Sequence, residues 1–284
     1  MKKLSLAFAF ITSTLIAQTN TEVYVFDILK TDSGIQLTKK RNISNNIGYD
    51  SQPHFYNNNT ILFAATRNGQ TDILKYSIKS EKKVFINSTP NGGEYSPQRI
   101  PGSKNISAVR LDTTGLQRFY EYDIKTGQSK VLIENLVVAY PYWHKKNLLI
   151  SSVIGKNSLN LVISDLKNKT NATIVKNIGR SIHRIPSTNS VSYISKKNPQ
   201  WEIHSLDTET LESTKLVEID GKYEDICWLS DGTILLAKKN QILKFNTKSD
   251  KEWTVFVSIN DPKIKKISRI TVSPDGHKIS IVAE

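Results

Sequence analysis

A unit of about 43 residues recurs along this chain, and this recurrence constrains the fold more than any other feature of the sequence. Six short segments of similar character can be aligned on their last residue, which is apolar or aromatic in every case. Successive alignment points lie 45, 43, 42, 43 and 44 residues apart, and they are Phe55, Ile100, Trp143, Ile185, Trp228 and Val272. Repeats of this length are typical of solenoids and of β-propellers.

Each unit contains the pattern of four short strands. The alignment point is followed by a turn and an apolar strand, as in residues 230–232 and 234–237. An alternating third strand and a short fourth strand come next, for example residues 72–78 and 83–86. Helical periodicity is nearly absent. Four strands in one such unit make a propeller blade, so the sequence predicts an all-β chain.

The two ends of the chain favour a closed ring over an open solenoid. The last unit ends after its second strand, residues 279–284, whereas residues 22–28 and 35–38 match the third and fourth strands of a unit. If these N-terminal strands complete the last sheet, no strand edge stays exposed. We therefore predict a six-bladed β-propeller of four-stranded blades over residues 18–284, with the N-terminal strands completing the last blade.

The repeats resemble those of a known family. Residues 223–232 and 268–276, the latter ending in Ser-Pro-Asp-Gly, are similar to the WD40-like (PD40) repeats of TolB-type six-bladed propellers, whose consensus is approximately Pro-x-Trp-Ser-Pro-Asp-Gly. Residues 57–59 and 145–147 depart from that consensus. The resemblance covers residues 21–284 and implies an exported, single-domain binding module.

The first 20 residues have the three-part layout of a secretory signal peptide: a basic start at Lys2 and Lys3, an apolar stretch over residues 4–17, and a polar continuation. The apolar stretch has 14 residues, fewer than the roughly 20 that span a bilayer. We therefore expect residues 1–17 to be removed, no transmembrane anchor, and a periplasmic or secreted protein.

The basic composition does not indicate a nucleic-acid groove. Lysine and arginine number 39 against 26 acidic residues, a net charge of +13, but the lysine pairs fall in different registers of the repeat. A single cysteine, Cys227, excludes an intrachain disulfide and a zinc site built on several thiolates.

Propeller topology brings the first strand of every blade to the axis, so residues just before the alignment points converge on one funnel. Arginines pair with carboxylates or phosphates, and tyrosines offer flat faces to peptides or sugars. An alternative is that these charges neutralise one another around a wet channel without a ligand. The predicted ligand-binding set in the axial funnel is Asp50, His54, Glu94, Arg99, Tyr140, Arg180, His183, Arg184, Asp225 and Arg269.

No catalytic motif is present. Residues 179–183 place a serine near a histidine, but the second glycine and the helix of a nucleophile elbow are missing. The five histidines lack zinc-site spacing. We predict no catalytic residue, no metal and no cofactor.

The resulting functional prediction is a monomeric, non-enzymatic binding module. Its partner is a protein or peptide of the cell envelope, bound at the axial face. Two alternatives stay open: a metal-dependent hydrolase or lactonase-type propeller, and a carbohydrate-binding propeller. A scattered metal site would draw on Asp50, Glu94, Glu224 and Asp225.

Overall fold

The structure is a computed structural model that describes residues 20–284, apart from Ser33 and Asp220. The predicted signal peptide, residues 1–17, lies outside the described residues. In the part that is described, the regular secondary structure consists of 23 β-strands and contains no helix. Accordingly, no helix suited to crossing a membrane is found between residues 20 and 284, outside the two gaps.

The strands form five antiparallel sheets, four of four strands and one of seven. The first N-terminal strands are β1 (Glu22–Thr31) and β2 (Gly34–Asn42). One sheet holds β3 (Ser51–Asn57), β4 (Thr60–Arg67), β5 (Gln70–Ser77) and β6 (Lys82–Phe85). The next holds β7 (Gly92–Arg99), β8 (Ile106–Asp112), β9 (Gln117–Tyr122) and β10 (Ser129–Ile133).

The seven-stranded sheet follows in chain order. It holds β11 (Val138–Lys145), β12 (Leu148–Ile154), β13 (Leu159–Asp165), β14 (Thr170–Arg184), β15 (Ser190–Ser195), β16 (Glu202–Asp207) and β17 (Ser213–Glu218). Another four-stranded sheet holds β18 (Ile226–Trp228), β19 (Thr233–Lys238), β20 (Gln241–Asn246) and β21 (Thr254–Ser258). The C-terminal strands are β22 (Ile267–Val272) and β23 (Lys278–Ala283).

Strand β14 joins what the sequence predicted as two separate blades. It is 15 residues long. Its residues up to Ile178 pair with β13, and its residues from Ile178 onward pair with β15. The junction contains Asn177, whose φ is 60°, and Gly179, and the pairing with β15 shifts register between Ile178 and Ile182. The chain nevertheless continues as one strand from one sheet into the next. The observed fold is thus an all-β, propeller-like arrangement of small sheets.

The N-terminal strands complete the C-terminal sheet. The strand order is β2-β1-β23-β22, and β1 pairs with β23 from Glu22 opposite Ala283 to Asp27 opposite Lys278. This is the strand pairing that the sequence predicts. Because β1 covers the free edge of β23, the two ends of the chain hold each other by backbone hydrogen bonds.

The apolar core lies between neighbouring sheets. Val23 and Val25 of β1 pack against Phe55, Ile61 and Phe63 of the next sheet, all buried. Two of the tryptophans used for alignment add a polar link. The indole N–H of Trp143 donates to Ser107 Oγ at 2.9 Å, and that of Trp228 donates to Ser192 Oγ at 2.8 Å. Each bond reaches from the first strand of one unit to the second strand of the preceding unit, which fixes the first strands around the axis.

Candidate functional site

A cavity of about 640 Å³ is lined by the first strand of each repeat unit. We call it the histidine cavity, since His54 of β3 and His183 of β14 line it. Six segments contribute to its wall: residues 52–54, 96–99, 140–143, 180–183, 225–226 and 269–271. Their convergence places the cavity on the axis, as the repeat predicts.

A second cavity of about 610 Å³ lies at the other end of the same strands. We call it the lysine cavity, after Lys222, Lys239 and Lys266 in its wall. In the segments that line both cavities, residues lining the lysine cavity precede those lining the histidine cavity, for example 266–269 before 269–271. The two cavities therefore open at opposite ends of the axis.

Arg180, Asp225 and Arg269 line both cavities, and we call them the arginine–aspartate cluster. Arg180 donates from Nε to Asp225 Oδ1 at 3.1 Å and from Nη2 to Asp225 Oδ2. This is a bidentate pair, in which two parallel N–H groups meet one carboxylate. Arg269 donates from Nη1 to the same Oδ1 at 3.3 Å and to the Ser268 carbonyl at 2.6 Å.

The Nε and Nη2 atoms of Arg269 are left without an acceptor among the described residues. These two atoms form the edge of a guanidinium that binds a carboxylate in bidentate fashion. The Arg269 side chain is only 16% exposed, and its Cζ lies 5.9 Å from the centroid of the Tyr140 ring. An unused bidentate edge thus lies within a mostly buried wall of the cavity.

Arg180 stays charged. Burial on its own would lower the pKa of Arg180, but the charge and hydrogen bonds of Asp225 raise that pKa overall. Glu224 lies 3.7 Å from Arg180 Nε and 2.7 Å from Lys196 Nζ. Burial alone would raise the pKa of Glu224, but its hydrogen bond to Lys196 and the charge of Arg180 lower it overall. Glu224 is therefore ionised and paired with Lys196.

The two histidines are neutral at pH 7. Burial lowers the pKa of His183 to about 4. Burial also lowers the pKa of His54 to about 4, and the nearby charges of His183 and Arg99 act in the same direction. The ionised side chains in the wall are then three arginines, Arg99, Arg180 and Arg269, against Asp225. The histidine cavity carries an excess of two positive charges.

Two bulges shape the wall between β3 and β7. Gln52 and Ser96 have positive φ angles of 56° and 50°, and each lies where the pairing of its strand shifts register. The Ser96 backbone N–H donates to Gln52 Oε1 at 2.8 Å. Ser96 is 7% exposed, and its hydroxyl has no hydrogen-bond partner among the residues described. Strained residues and unpaired buried hydroxyls are uncommon, and they concentrate at functional sites.

Seven of the ten predicted site residues line the histidine cavity: His54, Arg99, Tyr140, Arg180, His183, Asp225 and Arg269. The other three do not, contrary to the expectation of one funnel. Arg184 is exposed, and its Nε donates to the Thr188 carbonyl at 3.1 Å. It lies at the end of β14, beyond the segment that reaches the cavity.

Asp50 and Glu94 are fully buried away from both axial cavities. Glu94 accepts hydrogen bonds from Asn87 Nδ2 at 2.6 Å, Thr89 Oγ1 at 2.8 Å and Tyr122 OH at 2.9 Å. Asn87 and Thr89 lie in the connection from β6 to β7, and Tyr122 lies on β9 of the same sheet as Glu94, so Glu94 holds that connection against its own sheet. The side chain of Glu94 is turned toward these three donors and lines neither axial cavity.

Asp50 is less well satisfied than Glu94. Its Oδ1 accepts the Thr66 N–H at 2.8 Å, whereas its Oδ2 has no hydrogen-bond partner in the described part of the chain. Burial raises the pKa of Asp50 to about 6. No ligand role follows from this position, but the unpaired charge has a consequence for stability.

The sequence prediction omitted several wall residues that a recurring signal marks. A polar or aromatic residue followed by proline occurs in three units: Gln52-Pro53, Ser96-Pro97 and Tyr140-Pro141. All six line the histidine cavity. Proline lacks the backbone N–H that a strand ladder needs, so its recurrence inside a first strand is a usable signal of a bulge or edge facing the axis.

The wall of the histidine cavity offers polar and aromatic groups that can bind a ligand. Nowhere in the described ranges do three or more His, Cys, Asp or Glu side chains come together in a way that would hold a metal ion. Cys227 is buried, and burial raises the pKa of its thiol. What the wall presents is guanidinium, imidazole, phenol and hydroxyl groups around one opening.

Comparison with known proteins identifies the fold. No protein-family model matches the chain, and no curated protein matches it. A TolB structure from Agrobacterium tumefaciens has a TM-score of 0.68 and 9% identity, and the match covers 93% of this chain and 98% of that chain. TolB from Acinetobacter baumannii has a TM-score of 0.58 and 13% identity over 93% of this chain, which spans 64% of that longer protein.

An enzyme matches comparably well. Oligogalacturonate lyase from Vibrio parahaemolyticus has a TM-score of 0.60 and 11% identity, covering 90% of this chain and 85% of that chain. At such identities the likeness shows the fold alone, a TolB-like propeller fold. The same scaffold carries a TolB and a lyase, so function must be argued from the residues of this chain.

Proposed function

We propose that this chain is a six-bladed propeller that binds a protein or peptide at the mouth of its histidine cavity. The blade count follows from treating β14 as shared. Its N-terminal half is the outer strand of one unit and its C-terminal half the first strand of the next, so the seven-stranded sheet comprises two units. Six first strands then surround the axis.

We also propose that the units are WD40-like repeats of the PD40 type. The support is the turn at residues 273–276. The Gly276 N–H donates to the Ser273 carbonyl at 2.8 Å, and the His277 N–H donates to Asp275 Oδ1 at 3.0 Å. Gly276 has a φ of 72°, which suits glycine. The Ser-Pro-Asp-Gly motif thus works here as a compact hairpin turn.

The convergence of six first strands on one cavity with an excess of positive charge is the observation that carries the binding proposal. The cavity is walled by aromatic, proline and arginine side chains, the types that anchor peptide partners. A metal-dependent hydrolase would need a cluster of ligating side chains, and no such cluster occurs among the residues described. We therefore favour a non-enzymatic binding module.

Site-specific photo-cross-linking tests the binding proposal. A photoreactive phenylalanine analogue at Thr271, which lines the histidine cavity, should give a discrete cross-linked protein in the native cell envelope. The same analogue at Thr254, exposed on outer strand β21, is the matched control. Filling the cavity with Thr271→Trp should abolish capture, whereas Thr254→Trp should not. Equal cross-linking from both positions, or none from Thr271, would refute the assignment.

Export and oligomeric state are proposed together with this function. We propose that residues 1–17 direct the chain out of the cytoplasm, to a periplasm or the medium, and that the mature chain is a monomer. Fractionation of cells that express the full chain, compared with cells that express residues 18–284, tests the first point. Retention of both forms in the cytoplasm would contradict it. Light scattering of the purified mature chain tests the second.

A further inference from the structure

We propose that the histidine cavity binds its peptide partner through a carboxylate of that partner, held by the unused bidentate edge of Arg269. This inference rests on the proposed function and specifies the chemistry that the partner presents. The carboxylate belongs to an acidic side chain or to the C-terminus of the peptide. Either source presents the same two oxygens to the guanidinium.

The first argument is the count of donors. Asp225 receives both parallel N–H groups of Arg180 and also Nη1 of Arg269. It therefore serves two guanidinium groups, and Nε and Nη2 of Arg269 find no acceptor in the described part of the chain. Arg269 is mostly buried and lines both axial cavities, so an acceptor for these donors has to enter through one of the two. A ligand carboxylate in the cavity would accept both hydrogen bonds.

The second argument is charge. The cavity wall carries three arginines and one aspartate, and its two histidines are neutral at pH 7. Arg99 is exposed, whereas Arg180 and Arg269 are largely buried and share Asp225, an excess of one positive charge in the partly desolvated part of the wall. That excess is unfavourable, and a bound anion would relieve its cost. A neutral or cationic peptide would not.

The third argument is independent of the arginines. Ser96 lines the same cavity, and its buried hydroxyl has no hydrogen-bond partner within the described residues. It is held there by a bulge whose positive φ is tolerated only with strain. A hydroxyl can donate to a carboxylate or accept from a peptide N–H, and at Ser96 neither role is filled within the described chain.

Fluorescence anisotropy with three labelled hexapeptides tests the proposal. The first alternates glycine and glutamate and has an amidated C-terminus. The second replaces glutamate by glutamine and has a free C-terminus, and the third is the glutamine peptide with an amide. We expect the first, the second or both to bind at least about tenfold more tightly than the third, as charge-assisted hydrogen bonds predict. The first two arms distinguish a side-chain carboxylate from a terminal one.

Arginine variants distinguish the bidentate contact of Arg269 from a non-specific effect of positive charge. Arg269→Gln should weaken the preferred peptide about tenfold, whereas Arg184→Gln removes the same charge from the same face outside the cavity and should change affinity less than about twofold. Arg269→Lys keeps the charge but loses the bidentate edge, so it should resemble Arg269→Gln more than the wild type. Circular dichroism of each variant confirms folding.

Equal affinity for all three peptides, no binding of any of them, or equal losses for Arg269→Gln and Arg184→Gln would each overturn the carboxylate proposal. The proposed function has its own readout in cross-linking from Thr271. If that cross-link persists while the peptides show no preference, the cavity binds a partner by other chemistry. If the cross-link is absent and the acidic peptide binds, the protein-partner assignment fails instead.

Discussion

The unpaired carboxylate of Asp50 predicts that replacing this residue stabilises the protein at neutral pH. Asp50 is fully buried, one of its oxygens accepts the Thr66 N–H, and the other has no partner. In Asp50→Asn, the side-chain oxygen can still accept the Thr66 N–H, and the charge is removed. The variant therefore isolates the cost of burying that charge.

The magnitude follows from the pKa. Burial raises the pKa of Asp50 from 3.8 to about 6, so the folded state binds the proton more tightly than the unfolded state. Stability from this group is fully present below pH 3.8 and is lost as the pH rises through 6. The difference between the two pKa values corresponds to roughly 3 kcal/mol. Asp50→Asn should therefore be more stable than wild type by about 2–3 kcal/mol at pH 8, and equally stable near pH 3.5.

Urea unfolding followed by tryptophan fluorescence at pH 3.5, 5, 6 and 8 measures this difference. The contributions of the other titrating groups to the free energy of unfolding cancel when the variant is compared with wild type at each pH. Glu94→Gln is the matched control, because Glu94 is equally buried but accepts three hydrogen bonds. In Glu94→Gln, the side-chain NH₂ group would face hydrogen-bond donors instead of acceptors. We therefore expect no increase in the free energy of unfolding at pH 8. A difference for Asp50→Asn that does not grow with pH, or a loss of stability at pH 8, would refute the reasoning.

Three further predictions concern the bulge, a histidine and the ring closure. Ser96→Gly removes an unpaired buried hydroxyl and suits a φ of 50°, so it should add about 1–2 kcal/mol in urea unfolding while weakening peptide binding. Burial lowers the pKa of His183 to about 4, so its stabilisation is present above pH 6.5 and is lost as the pH falls through 4. When the pH is lowered from 7 to 4.5, the melting temperature of His183→Gln should therefore fall less than that of wild type. An equal fall in both proteins would contradict this. A chain that begins at Ile43 lacks β1 and β2 and should aggregate. A peptide of residues 20–42 added in trans should restore a monomer on gel filtration, and a soluble monomer without that peptide would argue against closure by β1.

The strands and the joining of the chain ends were accessible from the sequence, because each is encoded locally. The alignment points recur at nearly constant spacing, and residues 22–28 and 279–284 supply complementary halves of one unit. The continuity of β14 was not anticipated. Turn residues would not have indicated it, because residues 134–137, which connect two separate sheets, contain neither proline nor glycine, whereas the junction within β14 contains Gly179.

The candidate site was predictable only in part. The repeat indicates which residues approach the axis, but not at which end or on which side of the strand. Glu94 is an example of a side chain whose orientation the repeat does not predict. Its hydrogen-bond partner Tyr122 is 28 residues away on β9, and the repeat spacing does not indicate that the two residues meet. Positive φ at Gln52 and Ser96 shifts the register within a strand, so simple alternation fails in β3 and β7.

The composition of the arginine–aspartate cluster is what distinguishes a binding role from a purely structural one. A structural ion pair in a partly buried wall is most favourable when charges match and every donor has an acceptor. Arg180 and Asp225 already meet this condition as a bidentate pair. Arg269 brings a second positive charge, and within the described chain only its Nη1 atom forms hydrogen bonds. Its Nε and Nη2 atoms have no acceptor there, which costs stability. A carboxylate supplied by a ligand would accept the two free N–H groups and neutralise the extra positive charge. Because the same propeller scaffold carries unrelated functions, such a set of unpaired donors is the feature that would give this protein its specificity.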